Sequence, residues 1–217
     1  MDVTLFLTLG VPLLIVYVII KSDKFQEPTN LVIKTFFVGV ALCFPAGEIN
    51  SLLIPSHEYS FMAGFTEESL KFLALYYYIK PKKSFNEPMD AIVYGTIISL
   101  GFASLENLDY VYGSGSEFDS LSIAILRAIS AIPMHATCGI LMGYYFGMYA
   151  FKGENLSLIK SLVYPMAFHA MYNFFAGISL ILMLIWLIIL ISFGRKKHKE
   201  LTLLQKTKSF EEQNLQS

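Results

Sequence analysis

Residues 2–20 read DVTLFLTLGVPLLIVYVII, an apolar run with no basic residue before it and with Lys21 and Lys24 just after it. At about 1.5 Å per residue such a run crosses a hydrocarbon core of roughly 30 Å, so it reads as a membrane helix. Nothing resembling a small-residue cleavage site follows, which makes it a retained helix with its basic end inside. The same reading extends along the chain to apolar runs at about 31–54, 58–80, 88–112, 120–151, 157–175 and 177–194. Of 217 residues, 55% are hydrophobic and 15% charged, and the charges are clumped between the runs, which leaves no room for a separate soluble domain. The connectors alternate. Lys21 and Lys24, then Lys80, Lys82 and Lys83, then Lys152, then Arg195-Lys196-Lys197-His198-Lys199 mark one side, while the connectors at 55–57, at 113–119 and near Ala176-Gly177 hold no Lys or Arg. The expected architecture is therefore all-α: a polytopic membrane helix bundle of about seven transmembrane helices over 1–194, N-terminus out and C-terminus in. Residues 195–217 form a cytoplasmic tail, its polar end expected as a short surface or disordered segment.

The 120–151 run is longer than one crossing needs and contains Arg127 and Pro133, so its first turns are expected as a slanted interfacial helix with Arg127 near the outer surface. Gly139, Gly143 and Gly147 then repeat at four-residue spacing, and Gly95, Ser99 and Ala103 do so on the preceding run; both stripes point to close helix packing. Cys43 and Cys138 both fall inside apolar runs and read as small buried residues, with no disulfide framework. The net charge of −1 and the lack of a basic face argue against a nucleic-acid partner.

Chemistry concentrates in three places. Phe65-Thr66-Glu67-Glu68-Ser69-Leu70-Lys71-Phe72 puts three charges in mid-run, where each costs about 2.5–3.5 kcal/mol to bury in lipid, so they demand a compensating role. Lys71 pairs one carboxylate and leaves another unexplained; Glu67, one turn away on the same face, is the preferred catalytic carboxylate. Phe102-Ala103-Ser104-Leu105-Glu106-Asn107 adds Glu106, with Asp109 nearer the boundary and read as solvated. His169-Ala170-Met171-Tyr172-Asn173 stacks an imidazole and a carboxamide on one helix face. His135, at the outer end of the glycine stripe, and Glu48, near the end of its run, are open between site and structural roles. Counted from the outer ends of their runs, Glu67, Glu106 and His169 share one layer, roughly 9 to 14 Å deep. Such a layer suits activation of water by a carboxylate, with imidazole and carboxamide donors stabilising an oxyanion. Zincin spacing is absent, so no metal or other cofactor is expected, although Glu67, Glu106, His135 and His169 leave zinc open.

Together, Glu67-Glu68-x-x-Lys71, Phe102-x-x-x-Glu106-Asn107 and His169-x-x-x-Asn173 resemble the PrsW family of bacterial intramembrane proteases, relatives of the CAAX prenyl proteases, over about residues 40–193. Arg127-x7-His135-x-x-x-Gly139 also looks like the family pattern. The resemblance implies a plasma-membrane hydrolase that makes the extracytoplasmic site-1 cut in a single-span anti-sigma factor, starting sigma factor release under envelope stress, with a site-2 protease acting later. It also implies that Glu67 and Glu68 supply the base, that Glu106 helps bind or activate water, and that His169 with Asn173 polarises the scissile carbonyl; Lys71, Asn107 and Arg127 support these groups. Glu106 stands where a prenyl protease would have histidine, which argues against CAAX processing. The remaining alternative classes are an ion- or proton-coupled transporter, which the lack of an inverted repeat and the single polar layer disfavour, and a non-catalytic scaffold, which leaves the buried acids without a purpose.

Overall fold

The computed structural model describes residues 2–113 and 119–215, so most of the 113–119 connector lies outside it. Among the described residues the regular structure is entirely helical. Helix α1, Val3–Ser22, is followed by α2, Thr29–Leu53. Helix α3, Ala63–Ala74, is entered through a 3-10 stretch, His57–Met62, and leaves as a π-helical stretch, Leu75–Ile79. Helix α4, Pro88–Leu108, continues as a π-helical stretch, Asp109–Gly113. Then come α5, Ser120–Ile129, α6, Ala131–Lys152, α7, Asn155–Ala176, and α8, Leu180–Leu215.

Among the described residues, four stretches are long and apolar enough to cross a membrane: Val3–Ser22, Thr29–Leu53, Pro88–Gly113 and Ser120–Lys152. The expected span at 58–80 has the length but carries the Glu67-Glu68-Lys71 charges. The expected break in the long 120–151 run falls at Ser130, between α5 and α6. Pro133 favours the break: it has no N–H to donate to residue 129, and its ring crowds that carbonyl, a strain that the helices at Pro45 and Pro165 absorb without breaking. The exposed face of α5 is apolar, with Leu121, Ile125, Leu126 and Ile129 outward and Ala124 and Ala128 inward. The tail differs from expectation. Instead of a loose segment, it continues α8 as one helix, with Leu201 and Gln205 buried against the bundle. His198 reaches the Ser22 hydroxyl, 2.8 Å away, and Glu200 accepts from the Tyr144 hydroxyl at 2.7 Å.

Helix α4 is apolar on all sides because it is surrounded: Ile92, Val93, Tyr94, Ile97, Ile98 and Leu100 are buried in different directions. Its closest neighbour is α6, and the glycine stripe sets that closeness. A Cβ on Gly143 would lie 2.1 Å from the Ala91 carbonyl oxygen, a backbone atom that cannot swing away. Gly143→Ala is expected to cost about 1–3 kcal/mol by forced overpacking. Gly47→Ala, where nothing lies within 4 Å, is expected to leave stability unchanged or slightly raised. Thermal unfolding of both variants in detergent checks the pair. Equal midpoints would show that the α4–α6 contact can relax.

Candidate active site

Four helices bring the polar groups together at one end of the bundle. Glu67, Glu68 and Lys71 come from α3, Glu106 and Asn107 from the end of α4, His135 from the first turns of α6, and His169 from α7. The approach of α3 to α7 depends on Gly64, where a Cβ would stand 2.6 Å from the Ala170 backbone nitrogen. That contact sets Glu67 and Glu68 beside His169.

Lys71 is completely buried, and its ammonium donates to Glu68 Oε1 at 2.8 Å and to His135 Nδ1 at 3.0 Å, over the Phe102 ring at 4.2 Å. An ammonium has donors only, so His135 Nδ1 accepts and His135 Nε2–H is left to donate to Glu106 Oε2, 3.0 Å away. Glu68 Oε1 also accepts from His169 Nδ1 at 3.0 Å. His169 Nε2 faces Glu67 Oε2 at 3.9 Å, and the two imidazole rings meet edge to face with centroids 4.9 Å apart. Glu67 Oε1 accepts from Asn50 Nδ2 at 3.4 Å, whereas Glu67 Oε2 is buried with no hydrogen-bond partner. Glu106 and Asn107 are both held by Arg127, the latter through a 2.6 Å bond from Arg127 Nε, and the guanidinium lies 4.0 Å from the centre of the Tyr110 ring.

A cavity of about 1120 Å³ opens onto these groups, lined among others by Glu67, Glu106, Arg127, His135, His169 and Asn173. Glu68 is not on its wall. The two adjacent acids thus divide: Glu67 faces the cavity, and Glu68 is locked behind it. Glu67, the preferred carboxylate, lines the cavity, and it does share a helix face with Lys71. Lys71 lies 3.7 Å from Glu67 and bonds Glu68 instead, because a residue three positions away was as reachable as one four away.

Other residues fall as follows. Arg127 is mostly buried, with its guanidinium on Glu106 and Asn107. Asn173 faces the cavity but donates to the Ser60 carbonyl at 3.2 Å, so part of its amide holds the 3-10 stretch before α3. Asp109 and Glu48 are exposed on the cavity wall. Asn50 and Tyr110 went unread: each stands near the end of an apolar run, where a polar or amphipathic residue is the ordinary boundary signal, and no spacing tied them to the acids.

The donors also bear on a metal. Glu67, His135 and His169 each offer a ligand atom, all within 4.8 Å of one another, and all three are buried. Glu67 Oε2, which has no hydrogen-bond partner, and His169 Nε2 face each other at 3.9 Å, a pair of ligand atoms suited to a positive centre. One carboxylate and two imidazoles beside an open cavity fit a divalent ion such as zinc once His135 gives up the Nε2 proton it donates to Glu106 and carries its proton on Nδ1 beside Lys71. Glu68 on His169 Nδ1 is the outer carboxylate such a ligand usually has.

Comparison with known proteins adds a lineage. The family model described as PrsW family intramembrane metalloprotease matches residues 27–194. Among curated proteins, Protease PrsW of Bacillus subtilis is 36% identical over 200 residues, covering 86% of this chain and 89% of its own length. The Geobacillus kaustophilus Protease PrsW is 34% identical over 169 residues, 74% of this chain and 73% of the relative. That of Clostridioides difficile is 31% identical over 210 residues, 88% of each. No solved structure matches the chain.

Proposed function

The chain belongs to the PrsW family of intramembrane proteases, and from that premise we propose that it makes the extracytoplasmic site-1 cut in a single-span anti-sigma factor of a bacterial plasma membrane. The observation that carries the chemistry is the convergence of Glu67, Glu106, His135 and His169 on one cavity. The alternation of basic connectors supports a seven-span arrangement with that cavity toward the outside.

In this reading an extended substrate segment enters the cavity and a water is activated by carboxylate. Glu67, His135 and His169 would hold a divalent metal, which when bound supplies a Lewis acid for the scissile carbonyl and a more acidic water. Glu106 lies outside that triad on the cavity wall, held in place by Arg127, and accepts the proton of the attacking water. Without a metal, the same task falls to Glu67, whose free oxygen faces the cavity. Glu68 and Lys71 touch no substrate; Glu68 orients His169 and Lys71 orients His135. Asn173, with one amide proton on Ser60, keeps the other for a substrate carbonyl.

The test is cleavage of single-span anti-sigma factors by the purified protein in liposomes, with products mapped by mass spectrometry and with or without a chelator. One cut on the extracytoplasmic side is expected, lost to the chelator and restored by zinc. Chelator-resistant cleavage would return the reaction to the metal-free glutamate form. Cleavage of the substrate's cytoplasmic part, or none of any anti-sigma factor beside robust cleavage of another membrane protein, would overturn the substrate reading.

A further inference from the structure

The bundle end away from this cavity holds a second concentration of buried acid. Asp90 lies at the start of α4 and Glu106 near its end, about 24 Å apart along the axis at about 1.5 Å per residue. There Asp23, Glu87 and Asp90 are 4%, 6% and 1% exposed, and each offers a carboxylate oxygen within 4.8 Å of the others. Asp90 Oδ2 accepts from the amides of Asn86, at 2.7 Å, and Glu87, at 2.9 Å. Gln205, from the tail of α8, donates through Nε2 to Asp23 Oδ1 at 2.7 Å and to Glu87 Oε1. Glu27 is close by and accepts from the Tyr94 hydroxyl.

An acidic cluster alone proves little, since backbone amides and a carboxamide can satisfy several oxygens. Here one oxygen is left over. Asp23 Oδ2 is buried without a hydrogen-bond partner, although the other oxygen of the same carboxylate is doubly bonded, by Gln205 and by the Phe25 amide at 3.0 Å. Gln205 is neutral and brings no charge to the carboxylates it holds. We infer that Asp23, Glu87 and Asp90 form a binding site for a hard divalent cation of the Mg²⁺ or Ca²⁺ kind, closed by the tail helix through Gln205. The donor set consists of oxygens alone, which selects hard cations and separates this site from the imidazole-containing cluster at the other end. Burial pushes the Asp23 and Glu27 carboxyls above their ordinary range, as expected of acids that lack a full counter-charge. Occupancy ties the connector after α1, the start of α4 and the tail of α8 into one unit, and so stabilises the docked tail by mass action.

The test is Mn²⁺ titration of the purified full chain in detergent, free ion being read by EPR, in a His169→Ala background that removes a ligand from the other cluster. One saturable Mn²⁺ is expected at about 1 mM or below, displaced by Mg²⁺ and weakened at least about tenfold by adding Asp23→Asn or Glu87→Gln. Trypsin cleavage after the exposed Lys206 is expected to slow in Mn²⁺, and not to slow in Asp23→Asn. Absence of saturable binding up to about 1 mM in folded His169→Ala protein would overturn the site, as would binding that neither acid variant changes. Should His169→Ala not purify as a monodisperse protein, the count is made in wild type. Loss of one Mn²⁺ per chain on Asp23→Asn supports the site, and an unchanged count overturns it.

Discussion

Glu67→Gln lowers the rate of substrate cleavage by at least about 10²-fold while leaving the fold intact, because the change removes a carboxylate from the cavity wall without emptying its place. A glutamine oxygen still accepts from Asn50 Nδ2, and the Lys71–Glu68 pair at 2.8 Å is untouched. What disappears is the unpartnered charged oxygen that faces His169 Nε2. The measurement is single-turnover cleavage in liposomes beside thermal unfolding in detergent. A large loss of rate at an unchanged midpoint is the expected pattern. If the variant cleaves within a few-fold of wild type, Glu67 neither binds a metal nor activates water, and the assignment of the cavity as the active site loses its central group. Glu106→Gln tests the proton acceptor in the same assay and is expected to lose rate without losing metal.

The second large effect concerns stability. Lys71→Met leaves the Glu68 carboxylate fully buried with only an imidazole beside it, and breaking a buried pair by removing one partner costs about 3–5 kcal/mol. Lys71→Met combined with Glu68→Gln removes both charges and is expected to recover much of that loss, so the two changes are strongly non-additive. Unfolding midpoints of the two single variants and the double variant close the cycle. A single Lys71→Met costing under about 1 kcal/mol would mean that Glu68 is neutral in the folded protein and that the pair braces nothing. The cleavage assay separates this role from chemistry. The double variant regains stability, yet it loses the Lys71 bond to His135 and leaves His169 Nδ1 a neutral amide oxygen in place of a carboxylate, and it is expected to remain impaired.

Helix and membrane character were legible from local pattern, since a run such as residues 2–20 declares its solvent by length and composition alone. The break between α5 and α6 was legible in outline for a similarly local reason, a proline that crowds the carbonyl four residues earlier in a run longer than one crossing needs. Charges in mid-run marked Glu67, Glu68 and Lys71, because lipid penalises them whatever surrounds them. The tail was misread because polar, mixed-charge residues look alike in a loop and on a helix half-exposed to water. Only the docking of Leu201 and Gln205 onto the bundle separates the two.

The sequence alone determined the helices, the approximate layer of the acids and histidines, and the small-residue faces along which helices meet, all of them properties that depend on neighbours within a turn or two. The tertiary structure decided what those residues do for one another. Whether Lys71 would hold Glu67 or Glu68 was open on the helix, and was closed by His135, 64 positions away, and by His169, 101 positions from Glu68. Arg127 was legible only by its position in the run, and packing set it on Glu106. The reason is physical: hydropathy is a preference of each residue for a medium, whereas a site is a set of distances between residues remote in the chain, set by how closely the helix backbones can approach at Gly64 and Gly143.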